Sequence, residues 1–249
     1  MNLHNINWDK IFTIKRTIFL LVFFVLVLIS KKINFSALVG TESQFFTVFQ
    51  FFGPIAGSFL GPVFGIVAVF FSQLVDFFIV GKEASWINLL RFLPMLLAVY
   101  YFGSKKKILG TVVPIICILL FVIHPVGQQA WVYSLFWLIP VLGKILPKKI
   151  PGQLFFKSYG ATFTAHAIGT VLWIYTIPST PGMWITLLPI TAYERFLFGL
   201  GIAGSYVVFN TALDYVINKW KVNLPVKVLF LDRKYNLFRL LSLRKSSSR

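Results

Sequence analysis

The stretch "GPIAGSFLGPVFG", residues 53 to 65, repeats glycine at every fourth position, Gly53, Gly57, Gly61 and Gly65, inside a run otherwise rich in Phe, Val, Ile and Leu. Four-residue spacing puts positions on one face of a helix. Gly57, Gly61 and Gly65 therefore define a groove free of side chains, where another backbone can approach closely. In lipid, helices associate through packing and not through expulsion of water, and stripes of small residues are their usual contact surface. Two occupants of the groove are open at this point: a neighbouring helix of the same chain, or another subunit docking on Gly57, Gly61 and Gly65. Pro54 and Pro62 follow Gly53 and Gly61 directly. Proline favours turns and helix starts, so the stripe is expected to straddle a break between two short helices.

The rest of the chain has the same character. Of 249 residues, 57% are hydrophobic and only 12% are charged, a balance that places the protein in a membrane, with the cell membrane as its expected location. A spanning helix needs about 20 apolar residues, and runs near that length occur at 17–30, 44–59, 62–80, 87–103, 108–124, 130–146, 158–177 and 190–218. The first is flanked by Lys15-Arg16 and Lys31-Lys32 but is followed by no small-x-small cleavage site, so it reads as an uncleaved helix. The expected fold is all-α, a polytopic bundle of eight spanning helices, or six if 44–59 and 62–80 form a re-entrant pair. One transmembrane domain over 1–218 accounts for all of these runs.

Charge sets the orientation. Lys and Arg outnumber Asp and Glu 24 to 7, and cations concentrate in cytoplasmic loops of membrane proteins. With the N-terminus inside, the inner segments hold nineteen Lys and Arg, against Lys31, Lys32 and Lys82 in the outer ones. Both termini are therefore expected in the cytoplasm. No basic helix or RNA-binding signature accompanies the charge, so nucleic acid is not an expected partner. Residues 219–249 read as a basic tail, in which "VKVLFLDRKYNLFRLLSLRK" mixes Leu and Phe with Lys and Arg. Such a segment lies on anionic membrane lipids or docks on a protein partner.

Ionisable groups at membrane depth are costly and face a cavity or a partner. In this layout Asp76, Arg91 and Glu194-Arg195 fall in the outer half of their spans, with His166 and Gln50 nearer the middle. They suit a polar pocket that opens away from the cytoplasm, although each could serve only a structural pairing, Asp76 with Arg91 for instance. Trp173 and Tyr193 are either walls of that pocket or part of an interfacial aromatic belt. Cys117, alone in an apolar run, offers neither a disulfide nor a thiolate metal cluster. The chain contains no GxxxxGK[ST] phosphate cradle, no GxSxG and no HExxH. No catalytic constellation, cofactor site or metal site is expected, and the protein reads as a non-enzyme.

The stretch "FFGPIAGSFLGPVFGIVAVFFSQLVDFF" followed by "WINLLRFLPMLLAVYYFG", and the later "AHAIGTVLWIYTIPSTPGMWITLLPITAYERFLFGLGI", resemble the substrate-binding (S) components of energy-coupling factor transporters. The matching features are Gly53, Pro54, Gly57 and Gly61, then Asp76, then Arg91 and Pro94, and finally His166 and the Glu194-Arg195 pair. The resemblance covers residues 44 to 104 and 158 to 218. It implies a helical bundle that binds a vitamin-like micronutrient near the outer face and docks on a transmembrane coupling subunit driven by cytoplasmic ATPases. The early helix and the basic tail make this chain larger than the usual six-helix member. Metal-type members carry His at the second position, whereas this chain begins Met1-Asn2-Leu3-His4, so a metal substrate is not expected.

The expected function is capture of a small-molecule substrate by Gln50, Asp76, Arg91, His166, Trp173, Tyr193 and Glu194, with docking through Gly57, Gly61 and Gly65. The alternative is a non-catalytic membrane scaffold or assembly protein whose basic tail binds lipid or a partner.

Overall fold

The computed structural model describes residues 14–37, 45–146, 152–219 and 230–238. The remainder of the N-terminal segment and most of the basic tail lie outside the described residues. The chain is predominantly helical. Helix α1 (Ile14–Lys31) leads into a short hairpin of β1 (Asn34–Ala37) and β2 (Phe45–Thr47), followed by α2 (Phe49–Phe52), a single 3₁₀ turn, α3 (Ala56–Leu60) and α4 (Pro62–Ile79). Then come α5 (Trp86–Leu90), α6 (Leu93–Gly103), α7 (Ile108–Ile123), α8 (Pro125–Gln129), a 3₁₀ segment (Trp131–Trp137), α9 (Leu138–Ile145), α10 (Gln153–Thr176) and α11 (Pro181–Lys219).

Among the described residues three helical stretches are long and apolar enough to cross a membrane: Pro62–Ile79, Trp86–Gly103 and Pro181–Lys219. The outward faces of α4 and α7 reinforce this. Val63, Val67, Phe71 and Phe78 on α4, and Ile108, Val112, Ile115 and Leu119 on α7, are all exposed. A helix in water covers its outer face with polar side chains, so apolar exteriors of this breadth require hydrocarbon or another chain around them.

Two parts of the expected layout are corrected. The run 44–59 is not one helix: its start pairs as β2 with β1, antiparallel, with Ser36 opposite Phe46. Phe and Thr fit an extended strand as well as they fit a helix, so composition did not separate the two. The last helix begins at Pro181 and not near 190, since Pro189 is accommodated inside α11.

The glycine stripe breaks where the prolines suggested. Gly61 adopts φ +82°, a left-handed conformation suited to glycine, between the end of α3 and Pro62 at the start of α4. Around that break α3, α4 and α6 cross at backbone contact. A methyl group on Gly65 would lie 2.7 Å from Gly57 Cα, and one on Gly57 would collide with the carbonyl oxygen of Val99. Gly57 and Gly65 are buried, so the expected docking face of Gly57, Gly61 and Gly65 is instead an internal helix crossing. Gly61 itself faces the ring of Phe230.

The tail returns to the bundle. Phe230 N–H donates to Phe59 O at 3.0 Å. The Asn210 side chain on α11 clasps Asp232 from both sides, Nδ2 donating to its carbonyl at 2.9 Å and Oδ1 accepting from its N–H at 3.0 Å. Asn236 Nδ2 reaches Asp214 Oδ2 at 2.6 Å, and Leu237 N–H donates to Thr211 Oγ1 at 2.9 Å. Residues 230–238 are thus held on α3 and α11 of the same chain and do not form a free amphipathic face.

Candidate functional site

Helix α6 runs between two ends of the bundle. At its C-terminal end Lys144 Nζ donates to the carbonyls of Tyr101 and Ser104, both at 2.8 Å, and so caps α6. Lys157 lies over the ring of Phe102 there and donates to Ser58 Oγ. At the other end Pro94 borders a cavity of about 320 Å³. The cavity is enclosed by β2, α2, α5, the C-terminal half of α10 and the N-terminal part of α11.

Five of the seven expected binding residues line it: Gln50, Arg91, His166, Trp173 and Glu194. The other two do not. Asp76 is paired with Lys31, Nζ to Oδ2 at 2.9 Å, which ties α1 to α4 outside the cavity. The expected Asp76–Arg91 pair is therefore replaced by Asp76–Lys31, and Arg91 Nη1 donates to Asn88 Oδ1 at 3.1 Å. Tyr193 is 66% exposed, on the outer face of α11, and takes no part in the cavity wall.

His166 is built into the wall by its neighbours. Trp137 Nε1, which can only donate, reaches His166 Nδ1 at 3.1 Å. Nδ1 is therefore the acceptor, and the neutral ring carries its proton on Nε2. That N–H points between Tyr133 Oη at 3.1 Å and Thr170 Oγ1 at 3.3 Å. Tyr133 Oη in turn pairs with Thr191 Oγ1 at 2.8 Å. The chain Trp137–His166–Tyr133–Thr191 links the 3₁₀ segment, α10 and α11 along the cavity wall, so His166 spends both ring nitrogens on its neighbours.

Glu194 is held at the rim. Its Oε1 accepts from Ser36 Oγ on β1 at 2.7 Å, and its Oε2 stands 3.8 Å from Arg195 Nη2. Arg195 also borders the cavity. It is 3% exposed, with its guanidinium carbon 4.5 Å from the ring centre of Phe46 and 4.6 Å from that of Phe198. Its Nε and the Trp173 Nε1 are buried with no hydrogen-bond partner.

Sequence reasoning placed Arg195 beside Glu194 but left it out of the expected binding set, and it passed over Tyr133, Thr170 and Thr191. Helical spacing held a signal for the two threonines, since Thr170 is four residues after His166 and Thr191 is four before Arg195. Tyr133 lies in a 3₁₀ segment, where α-helical periodicity gives the wrong face. Among the described residues no three His, Cys, Asp or Glu side chains come together in a way that could hold a metal ion.

Fold and site together define a predominantly helical bundle, apolar outside, with one end hollowed into a cavity that has aromatic walls and a few buried polar groups. Among known proteins the chain is similar to Uncharacterized protein MJ0923 of Methanocaldococcus jannaschii, with 26% identity over 242 residues covering 83% of this chain and 81% of the relative. No protein-family model matches the chain, and no solved structure does.

Proposed function

We propose that this protein is the membrane-embedded capture component of an uptake system for a small solute, with the cavity between α5, α10 and α11 as the binding site. The observation that carries the reading is the convergence of Gln50, Arg91, His166, Trp173 and Glu194 on one cavity, from positions far apart in the chain. Polar side chains converging in an apolar hollow are the usual make-up of a small-molecule site. The volume suits a compact micronutrient.

The membrane setting of this proposal is the cell membrane, with six to eight spans and both termini cytoplasmic. Its support is the apolar exterior and the separation of cations: Lys144 and Lys157 lie at the end opposite the cavity. The chain carries no phosphate-cradle motif, so energy would come from separate subunits, a transmembrane coupling protein and cytoplasmic ATPases of the energy-coupling factor type. Transport would then follow from reorientation of the bundle against its partner, not from covalent chemistry. The buried glycine stripe does not supply the docking face for that partner. A scaffold recruiting others through its tail has less support, because residues 230–238 are engaged by their own helices.

The test is native mass spectrometry of the full chain purified in detergent, followed by thermal unfolding across a panel of vitamins and nucleobases. A small molecule carried through purification, or a stabilising member of the panel whose effect is lost in Glu194→Gln, is expected. No retained molecule and no stabilisation across the panel would overturn the reading.

A further inference from the structure

Arg195 is buried without an adequate counter-charge. Its residue is 3% exposed, yet the nearest carboxylate oxygen, Glu194 Oε2, is 3.8 Å away, beyond hydrogen-bond distance. The other Glu194 oxygen is already taken by Ser36. The rings of Phe46 and Phe198 fix the guanidinium by cation–π contact but accept no conventional hydrogen bond. Its Nε is left unpartnered, and so is the Trp173 Nε1 on the same cavity wall. Guanidinium and indole N–H groups donate and never accept, so what the cavity lacks is an acceptor.

Charge decides what kind of acceptor. The cavity wall carries two cations, Arg91 and Arg195, against one carboxylate, Glu194. His166 adds none, because its Nδ1 accepts from Trp137. A buried cation whose one carboxylate partner stands at the limit of ion-pair distance is expensive in an apolar site, and leaving a buried donor unmade adds to the cost. A neutral carbonyl would satisfy the donors and leave the charge. A metal ion or an organic amine would worsen it.

We propose that the captured solute is an anion, with a carboxylate-type group received by Arg195 and Trp173 and a flat apolar body lying among the aromatic walls. This rests on the capture reading above and names the chemical class of its substrate. The two residues have separate jobs: Arg195 supplies the charge and a fixed donor plane, and Trp173 supplies a second donor that neutral packing would not need.

Benzoate, benzamide and benzamidine provide a test, since they share one shape and differ in charge. Binding of each to the full chain in phosphatidylcholine nanodiscs is measured by calorimetry. Benzoate is expected to bind and the other two to bind at least tenfold more weakly; Arg195→Gln is expected to lose roughly ten- to a hundredfold in benzoate affinity, the range for a hydrogen bond to a charged group. Trp173→Phe keeps an aromatic ring while removing the Nε1 donor with part of the indole, and should weaken benzoate without creating a preference for benzamide. It serves as the second probe if Arg195→Gln fails to fold.

Equal or better binding of benzamide or benzamidine would overturn the anion assignment while leaving the capture reading standing. Silence from all three probes would overturn the anion assignment, and the capture reading falls only if the vitamin and nucleobase panel is silent as well. Loss of benzoate binding in phosphatidylglycerol discs, with retention in phosphatidylcholine, would assign Arg195 to an anionic lipid headgroup and overturn the solute.

Discussion

At the scale of single residues, contact distance decides what a glycine or a charge is for. Gly57 sits where α3, α4 and α6 touch backbone to backbone, so a methyl group there has no room in any direction: Val99 on one side, Gly103 on another. Gly204 on α11 has nothing within 4 Å of where its Cβ would be. Gly57→Ala is therefore expected to cost about 1–3 kcal/mol or more through overpacking, whereas Gly204→Ala should be neutral or gain up to ~1 kcal/mol from helix propensity. Thermal unfolding in detergent distinguishes them; a tolerated Gly57→Ala would mean that the crossing is looser than described. The same contrast explains what the sequence could reveal about the site. That Gln50, Arg91, His166, Trp173 and Glu194 are candidates for one cavity was legible, because ionisable and polar groups stand out in an apolar sequence. That Asp76 faces Lys31 and not Arg91 was not legible, because pairing depends on which helices are neighbours.

At the scale of elements, apolar run length located the helices, and their breaks followed Gly and Pro. It failed where an alternative conformation satisfies the same residues, as in the β1–β2 hairpin and in the 3₁₀ segment that carries Tyr133. The hairpin is tied to α11 by Ser36–Glu194 and by the contacts of Phe35 and Phe46 with Phe198. Helix α1 is fastened to α4 by Lys31–Asp76, whose side chains are 15% and 12% exposed. Removing one partner of such a pair strands the other, while replacing both with apolar groups removes the desolvation cost as well. Lys31→Met and Asp76→Leu should each lower stability by roughly 1–3 kcal/mol, and the double variant should recover most of the loss. Unfolding midpoints of the two singles and the double check this; simple additivity of the losses would show that the pair does not act as a unit.

For the whole molecule, the decisive feature is its polarity from end to end. The cavity with Arg91 and Glu194 occupies one end of α6, and Lys144, Lys157 and the docked residues 230–238 occupy the other. Cations near helix ends favour the cytoplasmic side, so under the proposed function the cavity is expected to open outward, toward the solute. Single cysteines test the orientation in a Cys117→Ala background: one at Lys82, in the turn after α4, and one at Lys106, between α6 and α7. In intact cells a membrane-impermeant maleimide is expected to label the Lys82→Cys variant and to spare Lys106→Cys until the membrane is opened. The reverse pattern would turn the cavity toward the cytoplasm and convert a capture component into one that collects its ligand from inside. Labelling of both in intact cells would mean that the two sites share the outer side and that the crossings between them are even in number.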